Sequence, residues 1–270
     1  MKPTLIDTHC HPPAEAEDPS ASWLHRAIEA GVSECIAVGT DREDWPLHRE
    51  LSLKFPDNLY WTVGLHPSYV EADFAEQVQA IPAYLKAPPE ERPCAIGEIG
   101  LDFTRLPKNG RDECKERQRQ AFRLQLQIAS DYGLPVVIHS RGTVTECLGI
   151  LDESGFPAEK TIFHCFAEGP ETLSEIRTCG ANCSFTGIVT FKNAANVREA
   201  MKANGLENLI LETDSPYLSP EPFRGKKNEP ARVATLAEYC ASVFETTPEE
   251  IARITTANAR SFFGLPRKEI

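Results

Sequence analysis

Leu5-Ile6-Asp7-Thr8-His9-Cys10-His11 reads as a short strand that begins apolar and ends in metal-ligating side chains. Successive side chains of a strand alternate between its faces. His9 and His11 therefore share a face, and Cys10 points to the other. Two imidazoles at one strand end can chelate one cation. Alone, they could equally be solvated histidines on an N-terminal arm. A metal needs further ligands, so the pair becomes informative only if other strands end in the same way.

The same reading carried along the chain predicts eight short strands, over residues 4–9, 34–38, 59–63, 94–96, 135–138, 161–163, 181–185 and 209–211. Helical patterns separate them. One starts at a cap on Ser20 or Ser22 and runs to residue 30; the next is capped by Asp41 and runs to residue 54. Others cover 74–85, 113–132, 144–154, 170–179 and 194–203. Two more, 231–244 and 248–263, close the chain after a Pro-bearing loop at 215–230. Gly31, Gly155, Gly180 and Gly205 supply helix stops. The strands are apolar on both faces, as parallel strands covered by helices must be. Eight right-handed βα units close into a TIM barrel. The expected fold is thus α/β: a single (β/α)8 TIM barrel over residues 1–270, with an extra C-terminal helix. An open doubly wound sheet is disfavoured, because no Gly-x-Gly-x-x-Gly follows the first strand.

Bulk properties narrow the function. At 41% hydrophobic and 25% charged, the 270 residues compose an ordinary globular chain. No apolar run approaches the ~20 residues of a membrane helix, and the first residues lead straight into a strand, so neither a membrane partner nor a secretory signal is expected. Nine scattered cysteines read as free thiols of a reducing cytoplasm. A net charge of -12 argues against a broad basic face that clamps duplex DNA. It leaves room for a nucleic-acid substrate held by local positive charge.

His9, His11, Glu98, His139, His164 and Asp214 all fall at carboxyl ends of the predicted strands one, four, five, six and eight. In this barrel that is the face where active sites form. Four imidazoles and two carboxylates are too many for a closed tetrahedral zinc and suit two ions with open positions. Two ions roughly 3.5–4 Å apart need a bridging group. Glu98 lies between the His9/His11 and His139/His164 pairs in strand order, which makes it the bridge. Asp214 then completes the first ion and holds or deprotonates the attacking water. His66 also ends a strand and is assigned to substrate; His25 and His48 lie inside helices and read as surface or packing residues. Residues 105–123 carry a net charge of +4. Arg141, two residues beyond His139, and Arg224, in the last loop, form a rim that would clamp phosphate. The cations at 115–119 are assigned to a solvated helix face.

Taken together, Asp7–His11, Gly64-Leu-His-Pro67, Gly97-Glu-Ile-Gly-Leu-Asp102, Leu134–Arg141, His164-Cys-Phe166, Ser184–Val189 and Leu211–Tyr217 resemble the signatures of the TatD family of metal-dependent deoxyribonucleases. Arg224 and Asn228-Glu-Pro230 belong to the same likeness, which spans the chain in order. The resemblance implies an amidohydrolase-like barrel and two divalent cations, with magnesium as the working metal and zinc or manganese as chemically compatible substitutes. It implies that His9, His11 and Asp214 hold one ion, His139 and His164 the other, and that Glu98 bridges them. It also implies hydrolysis of DNA as a 3′-to-5′ exonuclease preferring single strands and 3′ ends. The chain departs from the family pattern at Gly142 and at Ala167-Glu168-Gly169, both beside ligand loops, where substrate preference would be set.

Two other functions compete. One is a metal-dependent amidase or esterase on the same barrel; many such barrels bridge their ions with a modified lysine on the fourth strand, where this chain has Glu98 and no lysine. The other is a non-catalytic metal-bearing scaffold that binds nucleic acid. That reading requires a missing ligand, and none is missing.

Overall fold

The computed structural model describes residues 4–13 and 21–266; the candidate cap Ser20 lies outside them. Eight parallel strands are hydrogen-bonded in sequence order: β1 (Leu5–Cys10), β2 (Val32–Ala37), β3 (Leu59–Val63), β4 (Ala95–Asp102), β5 (Val136–Arg141), β6 (Thr161–Phe163), β7 (Asn182–Phe185) and β8 (Ile210–Leu211). The helices are α1 (Ser22–Glu29), α2 (Trp45–Lys54), α3 (Phe74–Leu85), α4 (Arg111–Tyr132), α5 (Val144–Ser154), α6 (Pro170–Thr178), α7 (Ala195–Asn204), α8 (Val233–Val243) and α9 (Pro248–Phe263). This is the expected TIM barrel with its extra C-terminal helix. No helix among the described residues is long and apolar enough to cross a membrane.

Two apolar layers build it. The inner one joins Ile6, Ile36, Val38, Ala95, Val137, Ile162 and Ile210, and Ala259, Phe263 and Leu265 at the end of α9 pack against it. The outer one, between strands and helices, takes the alternate strand residues, such as Val136, Ile138 and Phe163. The helix added beyond the eight βα units thus contributes directly to the barrel interior, and the opposite, carboxyl end is left to polar side chains.

The barrel closes late. β8 is only two residues long, and its seam with β1 is made just beyond it. The Asp214 N–H donates to the His9 carbonyl at 2.9 Å, and the His11 N–H donates to the Ser215 carbonyl at 2.8 Å. Thr213 adds two bonds to the buried Asp7 carboxylate, from its N–H at 2.9 Å and its hydroxyl at 2.6 Å.

β3, α3, α5, β6 and α9 have the predicted bounds. Three predictions are corrected. α1 is preceded by Ala21 in a left-handed conformation with no side-chain cap, and Ser22 lies inside the helix, where its hydroxyl accepts from Arg26. Asp41 does not cap α2: its carboxylate accepts from the N–H groups of Glu43 and Asp44 in a turn, and the helix starts at Trp45 with Pro46 in its first turn. β4 runs on through Gly97 and Gly100 to Asp102. These glycines are not stops, because they serve close packing between strands: a Cβ on Gly97 would lie 2.6 Å from the Val137 Cβ, and one on Gly100 would lie 2.2 Å from the His139 carbonyl oxygen.

Candidate metal centre

All six predicted ligands meet at the carboxyl end of the barrel. Glu98 stands at the centre with one oxygen turned to each histidine pair. Its Oε2 is 3.4 Å from His9 Nε2 and 3.8 Å from His11 Nε2. Its Oε1 is 2.6 Å from His139 Nδ1 and 2.8 Å from His164 Nε2. Asp214 Oδ1 joins the first pair, 3.4 Å from His11 Nε2 and 3.8 Å from His9 Nε2.

Two departures from regular strands aim these groups. Ile6 faces the interior and Cys10 the outer layer, an odd outcome for residues of the same parity. The β1–β2 register shifts between Asp7 and Cys10, and this bulge lets His9 and His11 face the mouth. The Cys10 thiol instead donates to the Ile36 carbonyl at 3.4 Å. In β4, Ile96 and Ile99 both enter the outer layer, and the register to β5 shifts between them. Without that shift Glu98 would share the face of Ile96. Asp214 is placed by a third device, a left-handed backbone with φ 53°.

The donor set fits cations. His9 Nε2 and His11 Nε2 face each other at 3.3 Å, as do His139 Nδ1 and His164 Nε2. At that distance two bare lone pairs would repel, so each pair is satisfied by a proton on one nitrogen or by a cation between them. His9, His11 and Asp214 each offer an atom within 4.8 Å of the others, as do His66, Glu98 and His139. Electrostatics agree. Burial pushes the Glu98 carboxyl up, but His164, His66 and His139 outweigh it and hold it well below the usual carboxylate range. Burial would lower His164, yet Glu98 and Glu212 pull it well above the ordinary histidine value. Such a site takes positive charge, as protons or as metal.

His66 is separated from the ligands by its hydrogen bonding. Its Nδ1 accepts from the Ser68 N–H at 3.0 Å, so the neutral ring carries its proton on Nε2, 3.3 Å from Glu98 Oε1. Burial lowers its pKa and favours that neutral form. A protonated Nε2 donates a hydrogen bond and cannot ligate. Arg141 ends β5 exposed, two residues beyond His139 and on its face of the strand. Arg224 lies in the loop after β8 with its guanidinium centre 3.8 Å above the Phe191 ring. On α4, Arg117, Arg119 and Arg123 reach Glu113, Glu146 and Glu153 within 2.8 Å, and Lys115 lies 4.0 Å from Asp112. For Lys115, Arg117 and Arg119 this fits their assignment to the charged face of the helix. His25 is exposed and His48 buried, both as helix residues outside the centre.

Sequence reasoning passed over two carboxylates beneath the ligands. Asp102 Oδ2 is 3.5 Å from His139 Nε2, and Glu212 Oε1 is 3.5 Å from His164 Nδ1. Glu212 is itself fixed by the Cys165 N–H and the Ser184 hydroxyl, both at 2.6 Å. Each lies on the ring edge away from Glu98, where a carboxylate orients a ligating imidazole. Their one sequence signal is position: Asp102 and Glu212 belong to the same two motifs that supply Glu98 and Asp214, which does not tell an orienting carboxylate from a ligand.

A family description, TatD related DNase, matches residues 6–264. The chain is 38% identical over 263 residues to YabD of Bacillus subtilis, named an uncharacterised metal-dependent hydrolase, covering 97% of this chain and 99% of that one. It is 35% identical over 270 residues to YcfH of Escherichia coli K12, another metal-dependent hydrolase by name, covering 97% and 96%. The fold superposes on the crystal structure of YjjV, a TatD homologue from Escherichia coli K12, with a TM-score of 0.87 at 29% identity, over 98% of this chain and 100% of that one.

Proposed function

The chain belongs to the TatD related DNase family and is a metal-dependent hydrolase; from that premise we propose that it hydrolyses the phosphodiester bonds of DNA, as a 3′-to-5′ exonuclease acting on unpaired ends. The observation that carries the reading is Glu98, with one carboxylate oxygen turned to each of two histidine pairs. A carboxylate so placed would bridge two divalent ions, held by His9, His11 and Asp214 on one side and by His139 and His164 on the other. Bound there, such ions polarise a phosphoryl oxygen and acidify water.

The protein's own groups do the rest. Asp214 is the base: burial raises its pKa, but His11 and the neighbouring imidazoles outweigh this and keep it below the usual carboxylate value, ionised and able to accept a proton from water. His66 Nε2–H, fixed by the Ser68 N–H on the far side of the ring, donates to the leaving 3′ oxygen. Arg141 and Arg224 hold phosphate oxygens at the rim. The scattered cysteines suit work in a reducing cytoplasm.

The test is a cleavage time course on single- and double-stranded oligonucleotides labelled at either end, with magnesium, manganese and zinc in turn, beside acyl substrates. Stepwise shortening from the 3′ end, faster on single strands, is expected. Hydrolysis of the acyl substrates with intact oligonucleotides would overturn the reading.

A further inference from the structure

Six large hydrophobic side chains are exposed among the described residues, and the two most exposed both flank the metal centre: Tyr217 at 63% and Tyr69 at 48%. An aromatic ring left in water beside a polar site is a ligand contact in waiting. The Tyr217 ring lies 6.4 Å from that of His11, and the Tyr69 ring 6.1 Å from that of His66. Both histidines touch Glu98, from opposite oxygens. The two tyrosines thus stand on either side of the point where a phosphate would sit.

Neither ring is on a loose loop. The Tyr217 N–H donates to the Asp214 carbonyl at 2.9 Å, and the buried Asn228 amide donates to the carbonyls of Thr213 at 3.1 Å and Tyr217 at 2.6 Å. Tyr69 closes a 3-10 turn that His66 itself caps. A ligand Asp, a site histidine and an exposed aromatic are therefore positioned by the same short turns. Rigid, exposed aromatic faces beside a phosphate site are what base stacking requires.

We propose that Tyr217 and Tyr69 receive the base of the terminal nucleotide by stacking, so that the substrate end must present an unpaired base beside its scissile phosphate. The inference rests on the nuclease reading above. A base still paired in a duplex offers only its edge and a stacked neighbour, so the two rings select frayed or single-stranded ends. The pocket tolerates any base, since every base has a π face.

The test compares a labelled oligonucleotide whose 3′-terminal nucleotide carries a base with one whose terminal nucleotide is abasic, on the manganese-loaded protein. The parent should prefer the base-bearing end in kcat/KM by about fivefold to a hundredfold, the range for stacking one base. Tyr217→Ala and Tyr69→Ala should each shrink that ratio, through KM more than kcat, and together bring it near one. Tyr217→Phe and Tyr69→Phe should keep it, because stacking uses the ring and not the hydroxyl. A second readout needs no cleavage: 2-aminopurine at a phosphorothioate-protected 3′ end should be quenched by the parent and not by the alanine pair. Cleavage with a ratio identical in parent and alanine variants overturns the inference and leaves the nuclease reading intact. If no oligonucleotide is cut with any divalent ion, the nuclease reading falls. Quenching that the alanine pair loses would then still support stacking, and quenching absent or unaltered would overturn it.

Discussion

Asp102 and Glu212 turn a set of ligands into a fixed site. A ligating imidazole that donates its other N–H to a carboxylate is held in one tautomer and one orientation. His139 Nε2 and His164 Nδ1 are buried and make no hydrogen bond, and each has one of these carboxylates 3.5 Å away as the group placed to orient it. Asp102→Asn and Glu212→Gln should each weaken divalent-metal binding by about 10–100-fold with the far-UV circular dichroism unchanged, as isothermal titration with manganese would read. A much larger loss for Glu212→Gln would make it a ligand itself, beside His9 and His164, with which it also forms a close group. Cys10→Ala should leave metal affinity unaltered, because the thiol faces the outer layer. If that variant lost metal while His11→Ala kept it, Cys10 would have to face the mouth, with β1 one residue out of register. His48 offers a pH signature outside the centre. Burial, with a smaller push from His11, lowers its pKa from 6.5 to about 3, so the folded protein keeps it neutral where the unfolded chain protonates it. Its contribution is therefore present above pH 6.5 and is lost as pH falls toward 3, at up to about 1.4 kcal/mol per pH unit. Asp44, 3.9 Å away and raised to about 6 by burial, works in the opposite direction between pH 4 and 6. Denaturant unfolding of His48→Leu across pH 4–7 should show less acid destabilisation than the parent, and equal slopes would refute the assignment. The convergence of the six candidate ligands was legible because each is a metal-ligating residue type at a strand end. Asp102 and Glu212 were not, since nothing in one sequence tells a carboxylate that binds metal from one that orients a ligand.

At the scale of elements, strand and helix order was readable and the aim of the side chains was not. Alternation rightly put His9 and His11 on one face, yet that face is toward the interior only because β1 is bulged; carried from Ile6, alternation would have turned both outward. The same holds for Glu98 after Ile96. Bulges leave no residue-type signal in these strands, and the backbone reveals them through register alone. What the sequence does carry is glycine, which by residue type alone reads as the end of the fourth strand. Gly100 sits at φ 130°, a region that side chains avoid, and a Cβ there would meet the His139 carbonyl oxygen at 2.2 Å. Backbone against backbone cannot be relieved by a rotamer change. Gly100→Ala should therefore destabilise the fold by more than about 3 kcal/mol, summing conformational strain and overpacking. Because the displaced partner is His139, metal affinity should fall with stability. Gly110→Ala provides the control: it is also at positive φ, 72°, but has nothing within 4 Å of the added Cβ, so it should cost about 1 kcal/mol and leave metal binding alone. Thermal melts and manganese titrations of the two variants would separate crowding from φ.

For the molecule as a whole, the consequence lies in where the barrel closes. His9 comes from the first strand and His11 from just beyond it, Asp214 from just beyond the last, and the backbone bonds that join these ends are the bonds that bring the three together. Assembling this candidate cation site and closing the barrel would thus be the same event, and each should stabilise the other by linkage. Thr213 is the residue through which this can be tested. Its hydroxyl donates to Asp7 and, more weakly at 3.5 Å, to the His9 carbonyl, and accepts from the Ser215 N–H. Thr213→Val keeps the shape and removes the hydroxyl's bonds, at a cost of about 1–3 kcal/mol. The loss should be local: amides of His11 and Asp214 should exchange hydrogen faster, while those of β5 and β6 on the opposite wall keep their protection. Added manganese should restore the seam, slowing exchange there and raising the melting temperature by more in the variant than in the parent, because the parent's seam is already closed. A variant whose exchange quickens evenly around the barrel, or whose seam ignores the metal, would show that closure and ion binding are independent. Coupling of this kind would let a bound cation hold the first and last strands of the barrel together.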